Sequence, residues 1–502
     1  MRVTDVSLSA KNPATLAVDA LVIGTCTTSD GLAVIGDQLP TELARHFESV
    51  APTLGLTGAP DEVRAFPAGP DVKADVIVLT GLGEREPDNT FTPESLRRGA
   101  GAAIRSLAGS KAVAVALPSA DETELAAIAE GVLLGAYAYT AYLTGDAPAK
   151  KAPPVTVDIV TTLGRSSKAK TAVDRAAIIA AAVNATRDLV NTPPNVLYPA
   201  SFADAAKAAA RDVKGVKVTV LDDKQLLAGG YGGLVGVGQG STRPPRLVKV
   251  TYKPVGAAKP ERSIALVGKG ITFDTGGISI KPSAGMAAMT MDMAGAAVVL
   301  HTVLAAARLG VNVAVTAYLC LAENMPGGGA ARPGDVITMR NGTTVEITNT
   351  DAEGRLVMAD GLADAVTDGA DTIIDIATLT GAQMLSLGLR TSGVMGNDGG
   401  AVRDAIVTAA DTAGETMWAM PLQPELAPLL KSDFADLLNA PNERWAGMSI
   451  AGTFLREFVA KTPWAHIDIA GPAFNEKAPY GYTPKCGTGV GVRTLVTYLE
   501  SL

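Results

Sequence analysis

The stretch that decides the fold of this 502-residue chain runs from residue 264 to residue 277 and reads Ile-Ala-Leu-Val-Gly-Lys-Gly-Ile-Thr-Phe-Asp-Thr-Gly-Gly. Its apolar beginning is typical of a strand buried on both faces, as in a parallel sheet that is covered by helices. Lys269 and Asp274 follow at the predicted carboxyl end of this strand. Because α/β sheets bind their ligands at that edge, the stretch predicts an α/β fold with a functional site there.

The size and composition of the chain favour two α/β domains. A chain of 502 residues exceeds what one hydrophobic core usually covers. With 47% hydrophobic and only 4% aromatic residues, the core must consist mainly of Ala, Val, Leu and Ile, which suits helices packed on buried strands. We predict an N-terminal α/β domain over residues 1–165, a linking helix and connection over 166–195, and a larger catalytic domain over 196–502.

Alternating strand and helix patterns run through both predicted domains. In the first domain we predict strands at 16–24, 75–80, 111–117 and 155–162, and helices near 93–108 and 121–143. After a long helix near 166–190, we predict strands at 216–221, 246–253, 263–268 and 312–321, a helix at 292–309 and a hairpin turned at Asn341-Gly342. The glycine-rich run 236–240 leads through Pro244-Pro245 into a strand, so it indicates a turn or a close backbone approach and not a phosphate-binding loop.

Charge and cysteine content exclude several classes of protein. A net charge of −8 gives no basic surface for a phosphate backbone, so nucleic-acid binding is disfavoured and peptides or small molecules fit better as substrates. Cys26, Cys320 and Cys486 are far apart and odd in number, which argues against a disulfide framework or a cysteine-rich zinc site. The chain is expected to reside in a reducing cytoplasm.

Neither a secretory signal nor a membrane segment is expected. The N-terminus lacks an apolar run followed by a small-residue cleavage site. The most apolar stretch, Met293 to Leu309, carries His301 and Arg308 and is too short to span a bilayer. We therefore predict that it forms a buried, alanine-rich helix.

Four acids on two separate loops are candidate ligands for metal ions. Each has an ordinary explanation when taken alone, since an aspartate can cap a helix N-terminus and acids in a first turn complement the helix dipole. The three histidines, at positions 46, 301 and 466, are not spaced for a zinc site, so metals would need oxygen ligands. Together the acids could bind two divalent ions. The four acids are Asp274, Asp292, Asp351 and Glu353.

Two lysines accompany these acids. Lys269 could bind a metal only as the neutral amine, which requires cationic neighbours and desolvation to lower its pKa. Lys281, beside Pro282, is either an ordinary exposed charge or a cation that stabilises an oxyanion.

Residues 349–356 read Asn-Thr-Asp-Ala-Glu-Gly-Arg-Leu and resemble, at all eight positions, the signature octapeptide of the leucine aminopeptidase (cytosol aminopeptidase) family. Val267–Gly277 and the Met-Asp-Met around Asp292 resemble the other metal-binding segments of that family. The resemblance implies a mainly parallel central sheet flanked by helices in the catalytic domain. It also implies a homohexamer built as a dimer of trimers.

The same resemblance implies a metalloprotease site with two divalent ions, Mn²⁺ or Zn²⁺ with Mg²⁺ as a further candidate. Lys269, Asp274, Asp292 and Glu353 would surround the tighter ion. Asp274, Asp351 and Glu353 would surround the more exchangeable one.

Further roles follow from the resemblance. Lys281 would stabilise the gem-diolate, and Arg355 would hold a bicarbonate that shuttles the proton. Main-chain amides near Ala352, Gly354 and Leu379 would help to bind that anion. The pocket for the first substrate residue would be lined by Met289, Thr378, Gly381, Ala470 and Ala473.

The implied activity is that of a leucyl aminopeptidase, a hydrolase that releases leucine and other apolar residues from the N-termini of peptides. Two alternatives remain at this point. Clustered acids with two ions also serve phosphatases and nucleases, so another two-metal hydrolase is one of them. The other is a moonlighting DNA-binding protein, as some relatives are.

Overall fold

The computed structural model describes residues 4–36, 38–256 and 262–502. The chain divides into two compact units, each of which contains a sheet. Unit 1 is Met1–Asn184 with Glu476–Lys485, and unit 2 is Ala185–Asn475 with Cys486–Leu502. The domain boundaries given above stay a prediction.

Unit 1 contains a seven-stranded sheet whose strand order is β1-β7-β6-β2-β5-β4, with β3 paired to β2. The pairs among β1, β7, β6, β2 and β5 are parallel, whereas β3 and β4 pair antiparallel. Its strands are β1 (Asp5–Ser9), β2 (Ala20–Thr28), β3 (Gly31–Ile35), β4 (Val63–Pro67), β5 (Val76–Gly81), β6 (Ala112–Ala116) and β7 (Thr156–Val160). Its helices are α1 (Thr41–Val50), α2 (Pro93–Ser106), α3 (Glu122–Gly135) and α4 (Ala147–Lys151), with 3₁₀ turns at Pro13–Thr15 and Ala51–Leu54.

Every strand and helix predicted in this part of the chain is present, but strand β2 is shifted at both ends, to Ala20–Thr28, and helix α3 ends early. Strand β2 begins at Ala20 instead of residue 16, because the preceding residues follow a 3₁₀ turn at Pro13–Thr15. Helix α3 ends at Gly135 instead of residue 143, since Ala136 leaves the helical region with φ −78° and ψ 56°. Tyr137, Tyr139 and Thr140, which follow, favour helix weakly, which fits this earlier end.

The segment Glu476–Lys485 belongs to unit 1 although it lies near the end of the chain. Tyr482 donates a hydrogen bond from its hydroxyl to Glu94 on α2, with an O–O distance of 2.8 Å. Arg105, also on α2, donates from Nε to the carbonyl of Gly481 over 3.2 Å. Unit 1 is therefore assembled from two distant parts of the sequence.

Unit 2 contains most of the remaining elements. Its strands are β8 (Val216–Leu221), β9 (Arg246–Tyr252), β10 (Ser263–Asp274), β11 (Ala314–Asn324), β12 (Val336–Thr338), β13 (Thr344–Glu346), β14 (Thr372–Ala377), β15 (Ser392–Gly396), β16 (Met417–Ala419), β17 (Leu437–Leu438), β18 (Trp464–Asp468), β19 (Phe474–Asn475) and β20 (Cys486–Gly487). The helices after α4 are α5 (Ser167–Asn191), whose residues fall in both units, α6 (Pro199–Ala210), α7 (Asp223–Ala228), α8 (Gly232–Gly238), α9 (Ala294–Leu309), α10 (Gly354–Thr367), α11 (Gly381–Leu387), α12 (Ala401–Ala413), α13 (Gly447–Arg456) and α14 (Val492–Glu500). Short 3₁₀ segments occupy Met286–Met291, Asp398–Gly400 and Pro424–Leu430.

The eight-stranded sheet of unit 2 has the order β16-β15-β18-β14-β10-β11-β9-β8. Its four central strands, β18, β14, β10 and β11, are parallel, and antiparallel pairs join them to β15 and β9. Helix α9 packs on one face of β10, where Gly268 meets Ala296, and α10 packs on the other, where Gly361 meets Val267. The predicted mainly parallel sheet flanked by helices is confirmed, with antiparallel strands at its sides.

Two elements around the quoted stretch differ from the prediction. Strand β10 does not end at residue 268 but continues to Asp274, so Lys269 lies inside the strand. Residues 269–271 continue the pairing with β11 in the same register, and Asp274 pairs with Asn324 after a register shift. Helix α9 begins at Ala294, two residues after the predicted start, because Met286–Met291 forms a separate 3₁₀ helix.

Three further predictions in unit 2 concern a hairpin, the glycine-rich run and the apolar helix. The hairpin at Asn341-Gly342 is present as β12 and β13. Gly236 and Gly238 lie in helix α8, whereas residues 239–240 form the predicted turn, and a Cβ on Gly240 would lie 2.2 Å from the carbonyl oxygen of Met325. The predicted strand after Pro245 is β9. Met286–Leu309 is long and apolar enough to cross a membrane by length and composition, yet 78% of its apolar window is buried within the fold. This matches the predicted buried helix.

Candidate active site

All five predicted metal ligands and Lys281 belong to one cluster at the carboxyl edge of the central strands. This edge is the one at which the quoted stretch predicted a site. Lys269 and Asp274 lie on β10, Asp292 lies between the 3₁₀ helix and α9, Asp351 and Glu353 precede α10, and Lys281 follows β10.

Lys269 is the buried centre of this cluster. Its ammonium nitrogen lies 2.7 Å from the Asp292 carboxylate and 2.9 Å from Glu353 Oε1, and it donates to the carbonyl of Thr378 over 3.0 Å. Burial opposes the charge of Lys269, but the surrounding acids Asp292, Glu353 and Asp274 raise its pKa above the ordinary value of 10.5. Lys269 therefore joins two loops that are 61 residues apart in sequence, those of Asp292 and Glu353.

Lys281 lies at the more open side of the cluster. Its ammonium nitrogen is 2.8 Å from Asp274 Oδ2 and also pairs with Asp351 Oδ1. Burial lowers the pKa of Lys281, but the charge of Asp274 and then that of Glu353 raise it above its usual range. The exposed-loop explanation of Lys281 is therefore wrong, since this lysine faces the acids while its side chain stays 21% exposed.

The cluster carries more negative than positive charge. Four carboxylates face two ammonium groups, and burial raises the pKa of Asp292 well above 3.8, with Asp274 and Glu353 adding to the shift against Lys269. Burial also raises the pKa values of Asp351 and Glu353. Buried acids of this kind are stabilised when cations share their charge.

The acids fit divalent cations in geometry as well as charge. One oxygen from each of Asp274, Asp351 and Glu353 lies within 4.8 Å of the others. Glu353 Oε2 is buried and, within the described parts of the chain, has no hydrogen-bond partner. Because buried polar atoms are nearly always satisfied, this oxygen is suited to binding an ion, and hard divalent cations prefer such oxygen ligands.

Neither the Asp292 nor the Glu353 side chain caps a helix N-terminus. The residue that caps α9 is Met293, and Asp292 instead accepts a hydrogen bond from the Thr378 hydroxyl over 2.8 Å. Glu353 occupies the N-cap position of α10, but its side chain makes no capping hydrogen bond. Side-chain capping is therefore excluded for these two acids, whereas Glu353 still lies where a negative charge complements the dipole of α10.

Two glycines allow the loops to approach so closely. Gly276 has φ +85°, and a Cβ there would lie 2.5 Å from the carbonyl of Ser279 and 3.1 Å from Asp351 Oδ1. A Cβ on Gly354 would lie 2.4 Å from Lys269 Cε. Both loops can thus place their charged groups together only because these positions lack a side chain.

A cavity of about 300 Å³ opens beside the cluster. Four of the five residues expected in the substrate pocket line it: Met289, Thr378, Gly381 and Ala470. Ala473 is 2% exposed and is not among the described residues that line this cavity. Further apolar lining comes from Met286, Met291 and Met384, which the sequence did not single out. The walls combine apolar side chains with the charged cluster, as in many small-molecule sites.

Arg355 and Leu379, two of the residues expected to bind an anion, lie close to the acids. Arg355 is buried and donates from Nη1 to the carbonyl of Asn439 over 2.8 Å, while its Nε has no partner within the described residues. Burial lowers the pKa of Arg355 to about 10 although Glu353 and Asp468 oppose the shift. Leu379 lines the cavity, but its N–H donates to Asp468 Oδ1 over 3.2 Å, so an anion would share or replace that bond.

Ala352 and Gly354 occupy the turn between Asp351 and α10. The N–H of Ala352 donates to the carbonyl of Asn349 over 3.2 Å, and Gly354 is the first residue of the helix. Both residues are buried.

Two asparagines hold the ligand loops in place and were missed in the sequence. Asn324, at the end of β11, donates from Nδ2 to Asp274 Oδ1 over 2.8 Å and to the carbonyl of Thr350 over 3.1 Å. Asn439 is fully buried and donates from Nδ2 to the carbonyl of Asn349 over 2.7 Å. Asn324 could have been found as a polar residue ending a buried strand, whereas Asn439 follows a two-residue strand that carries no such signal.

Comparisons with known proteins give matches over nearly the whole chain. The model described as "Cytosol aminopeptidase family, catalytic domain" matches residues 184–496, and that of the "Cytosol aminopeptidase family, N-terminal domain" matches residues 24–146. The chain is 52% identical to the "Probable cytosol aminopeptidase" of Micrococcus luteus, covering 98% of each chain. It is 50% identical to that of Streptomyces coelicolor, covering 99% of this chain and 98% of the other.

Among solved structures, the "Bottromycin maturation enzyme BotP in complex with Mn" is similar, with a TM-score of 0.84 and 36% identity over 97% of this chain and 99% of that one. Together the fold, the carboxylate cluster and these matches define a metal-dependent aminopeptidase. The chain belongs to the cytosol aminopeptidase family.

Proposed function

We propose that the chain is a leucyl aminopeptidase that releases leucine and other apolar residues from the N-termini of peptides with the help of two divalent metal ions. The observation that carries this proposal is the excess of buried carboxylate, including the unpartnered Glu353 Oε2, at the wall of a cavity with apolar lining. The cavity is large enough for one substrate residue and its first peptide bond.

Five side chains would hold the two ions, which we propose to be Mn²⁺ or Zn²⁺, with Mg²⁺ as a further candidate. These are Lys269, Asp274, Asp292, Asp351 and Glu353, with Asp274 and Glu353 shared. Divalent ions bound there supply an activated water and polarise a carbonyl. Lys269 would bind as the neutral amine. The bound cations must therefore lower the pKa of Lys269 by more than the neighbouring acids raise it. BotP was solved as a complex with Mn, which supports a manganese site by similarity.

The protein's own groups would position and stabilise the reacting peptide. Lys281, whose charge is held by Asp274 and Asp351, would donate hydrogen bonds to the oxygens of the gem-diolate. The apolar walls around Met289 and Ala470 would exclude water from the first side chain and favour leucine over charged residues. Thr378 and Gly381 would complete this pocket, and we keep Ala473 as a residue behind it.

We propose that proton transfer uses a bicarbonate near Arg355. The Nε of Arg355 supports this role, because a buried N–H of a guanidinium group that has no partner among the described residues is a ready donor for an anion. Main-chain amides of Ala352, Gly354 and Leu379 would add further donors. Arg355 and these amides would hold the bicarbonate, which would supply a group able to carry a proton from the attacking water to the leaving amine.

We also propose a cytoplasmic location and a homohexamer. The names of the relatives support the location. Several large apolar side chains in unit 2 are strongly exposed, which supports contact with further copies of the chain. They are Leu385, Trp418, Phe434 and Trp445. Sedimentation of the purified protein would show a monomer if the hexamer proposal were wrong.

A paired assay tests the activity. Leucine p-nitroanilide and p-nitrophenyl phosphate are incubated side by side with the protein and Mn²⁺ or Zn²⁺. We expect anilide cleavage that chelation with EDTA abolishes and that Glu353→Gln removes. Phosphate release without anilide cleavage would instead assign the site to another two-metal hydrolase.

A second measurement addresses the DNA-binding alternative. Retention on duplex DNA is measured at physiological salt for the wild type and for Asp351→Asn. We expect no retention, because the chain carries a net charge of −8. Retention in both proteins would show that DNA binding is separable from catalysis.

A further inference from the structure

Asn324 connects the two loops that carry the acids, and it does so with a single amide group. One hydrogen of Nδ2 points to Asp274 Oδ1 over 2.8 Å, and the other points to the carbonyl of Thr350 over 3.1 Å. Asp274 ends β10, and Thr350 directly precedes Asp351. The amide therefore ties the first ligand loop to the second.

The orientation of this amide is determined by its neighbours. Both Asp274 Oδ1 and the Thr350 carbonyl are acceptors, so a flipped amide would set its oxygen against two other oxygens. Asn324 is only 5% exposed, and its carbonyl accepts two hydrogen bonds from Thr275, from N at 3.0 Å and from Oγ1 at 2.8 Å. Neither the side chain nor the backbone of Asn324 is free to move.

The bonds to Asp274 also distinguish its two oxygens. Oδ1 accepts from the N–H of Gly276 and from Asn324 Nδ2, both over 2.8 Å, which uses its two lone pairs. Oδ2 lies 2.8 Å from Lys281 Nζ, a contact that leaves it a lone pair for a cation. An ion in the cluster thus meets Oδ2 and not Oδ1.

The register of the sheet explains why this arrangement forms. Asp274 and Asn324 are paired residues of the parallel strands β10 and β11, and they pair again only after the register shift that follows Ile271. Such irregularities re-aim side chains at the ends of strands. Here the shift brings an amide and a carboxylate from neighbouring strands side by side.

We infer that Asn324 is a positioning residue for the two-ion site: it presents Asp274 through Oδ2 alone and sets the separation of the two ligand loops. The inference rests on the proposed function, since it requires that the acids bind divalent ions. No role in catalysis at the reacting atoms is assigned to Asn324. Groups that orient metal ligands in this way typically change metal affinity about 10–100-fold when they are removed.

The test compares substitutions at Asn324 with a matched control. Asn324→Ala removes both hydrogen bonds, and Asn324→Ser keeps a smaller polar group that can make one of them. Asn397→Ala is the control, because Asn397 also donates from Nδ2 to a main-chain carbonyl, that of Thr462, at 2.9 Å. Asn397 follows β15 and bonds the N–H of Trp464, at the amino end of β18 and away from the site.

Binding of Mn²⁺ is measured by calorimetry, and the coupling between bound ions by electron paramagnetic resonance. For wild type and Asn397→Ala we expect two ions with the same constants and the same coupled spectrum. For Asn324→Ala and Asn324→Ser we expect an affinity at least about 10-fold lower and an altered coupling. A change in the spectrum separates positioning from a mere loss of stability.

Three other results would contradict the inference or the proposed function on which it rests. Folded Asn324 variants that bind Mn²⁺ as the wild type does, with an unchanged spectrum, overturn the role of Asn324. Failure of both variants to fold, while Asn397→Ala folds, assigns Asn324 to structure only and also overturns it. A wild-type protein that binds no Mn²⁺ contradicts the proposed function itself, whatever the variants do.

Discussion

Replacing Gly354 by alanine is a sharp test of how the site is built, because the change adds one methyl group at a known distance. The new Cβ would lie 2.4 Å from Lys269 Cε and 2.8 Å from Lys269 Nζ. Lys269 is buried and cannot turn towards solvent. To make room, its ammonium group must leave one or more of its partners, Asp292, Glu353 and the Thr378 carbonyl.

The expected cost follows from those contacts. Separating a buried ion pair costs about 3–5 kcal/mol, because it leaves an uncompensated charge in the interior. Against this, alanine in place of glycine restricts the unfolded chain and stabilises a compatible site by about 0.4–1 kcal/mol. We therefore expect Gly354→Ala to lower the free energy of unfolding by about 2–4 kcal/mol.

Gly381 offers a matched control for stability. It is the first residue of helix α11, as Gly354 is of α10, and a Cβ there would meet no atom within 4 Å. Gly381→Ala should leave the free energy of unfolding unchanged or raise it slightly. Urea unfolding of both variants gives the comparison, and Mn²⁺ titration of Gly354→Ala should show weaker binding. If Gly354→Ala is as stable as its control and binds Mn²⁺ like the wild type, Lys269 is not held as described.

Three further changes test the charged groups. Lys281→Ala should lower kcat about 10²–10³-fold through the loss of an oxyanion donor, with a smaller effect on Mn²⁺ affinity; equal losses in both would contradict this role. Arg355→Ala should likewise slow turnover by about 10-fold or more while Mn²⁺ binding changes less, and wild-type turnover would remove Arg355 from the reaction. Burial raises the pKa of Asp360 from 3.8 to about 7, so the folded protein retains a proton that the unfolded chain releases. At about 1.36 kcal/mol per pKa unit, the free energy of unfolding should lose about 4 kcal/mol from this group as pH rises from about 4 to about 7, and urea unfolding of Asp360→Asn should lack that part of the slope. Identical slopes in the two proteins would show that Asp360 is ionised in the fold.

The central strands could be predicted because local sequence determines them. The apolar runs at 264–268 and 312–321 are long, and burial on both faces leaves strand as the natural structure. The ends of these elements could not be predicted in the same way. Strand β10 extends to Asp274 because β11 offers it partners beyond residue 268, and that information lies 50 residues away in the chain.

Those residues of the candidate site that lie in short, recognisable segments of the sequence could be predicted. The acids and Lys269 occur in three short stretches, each of which resembles a metal-binding segment of the family, and Lys281 lies in the loop after the first of them. Asn324 and Asn439 belong to none of those stretches. Their roles arise from hydrogen bonds across 50 and about 90 residues of sequence, which only the register of the sheet reveals.

The return of Glu476–Lys485 to unit 1 has a consequence for biosynthesis. Gly481 and Tyr482, which form hydrogen bonds with α2, are synthesised about 300 residues after the N-terminal stretch of unit 1 ends. At roughly 5–20 residues per second, that delay is about 15–60 s. During this interval the N-terminal stretch of unit 1 exposes the surface of α2 that the late segment will cover.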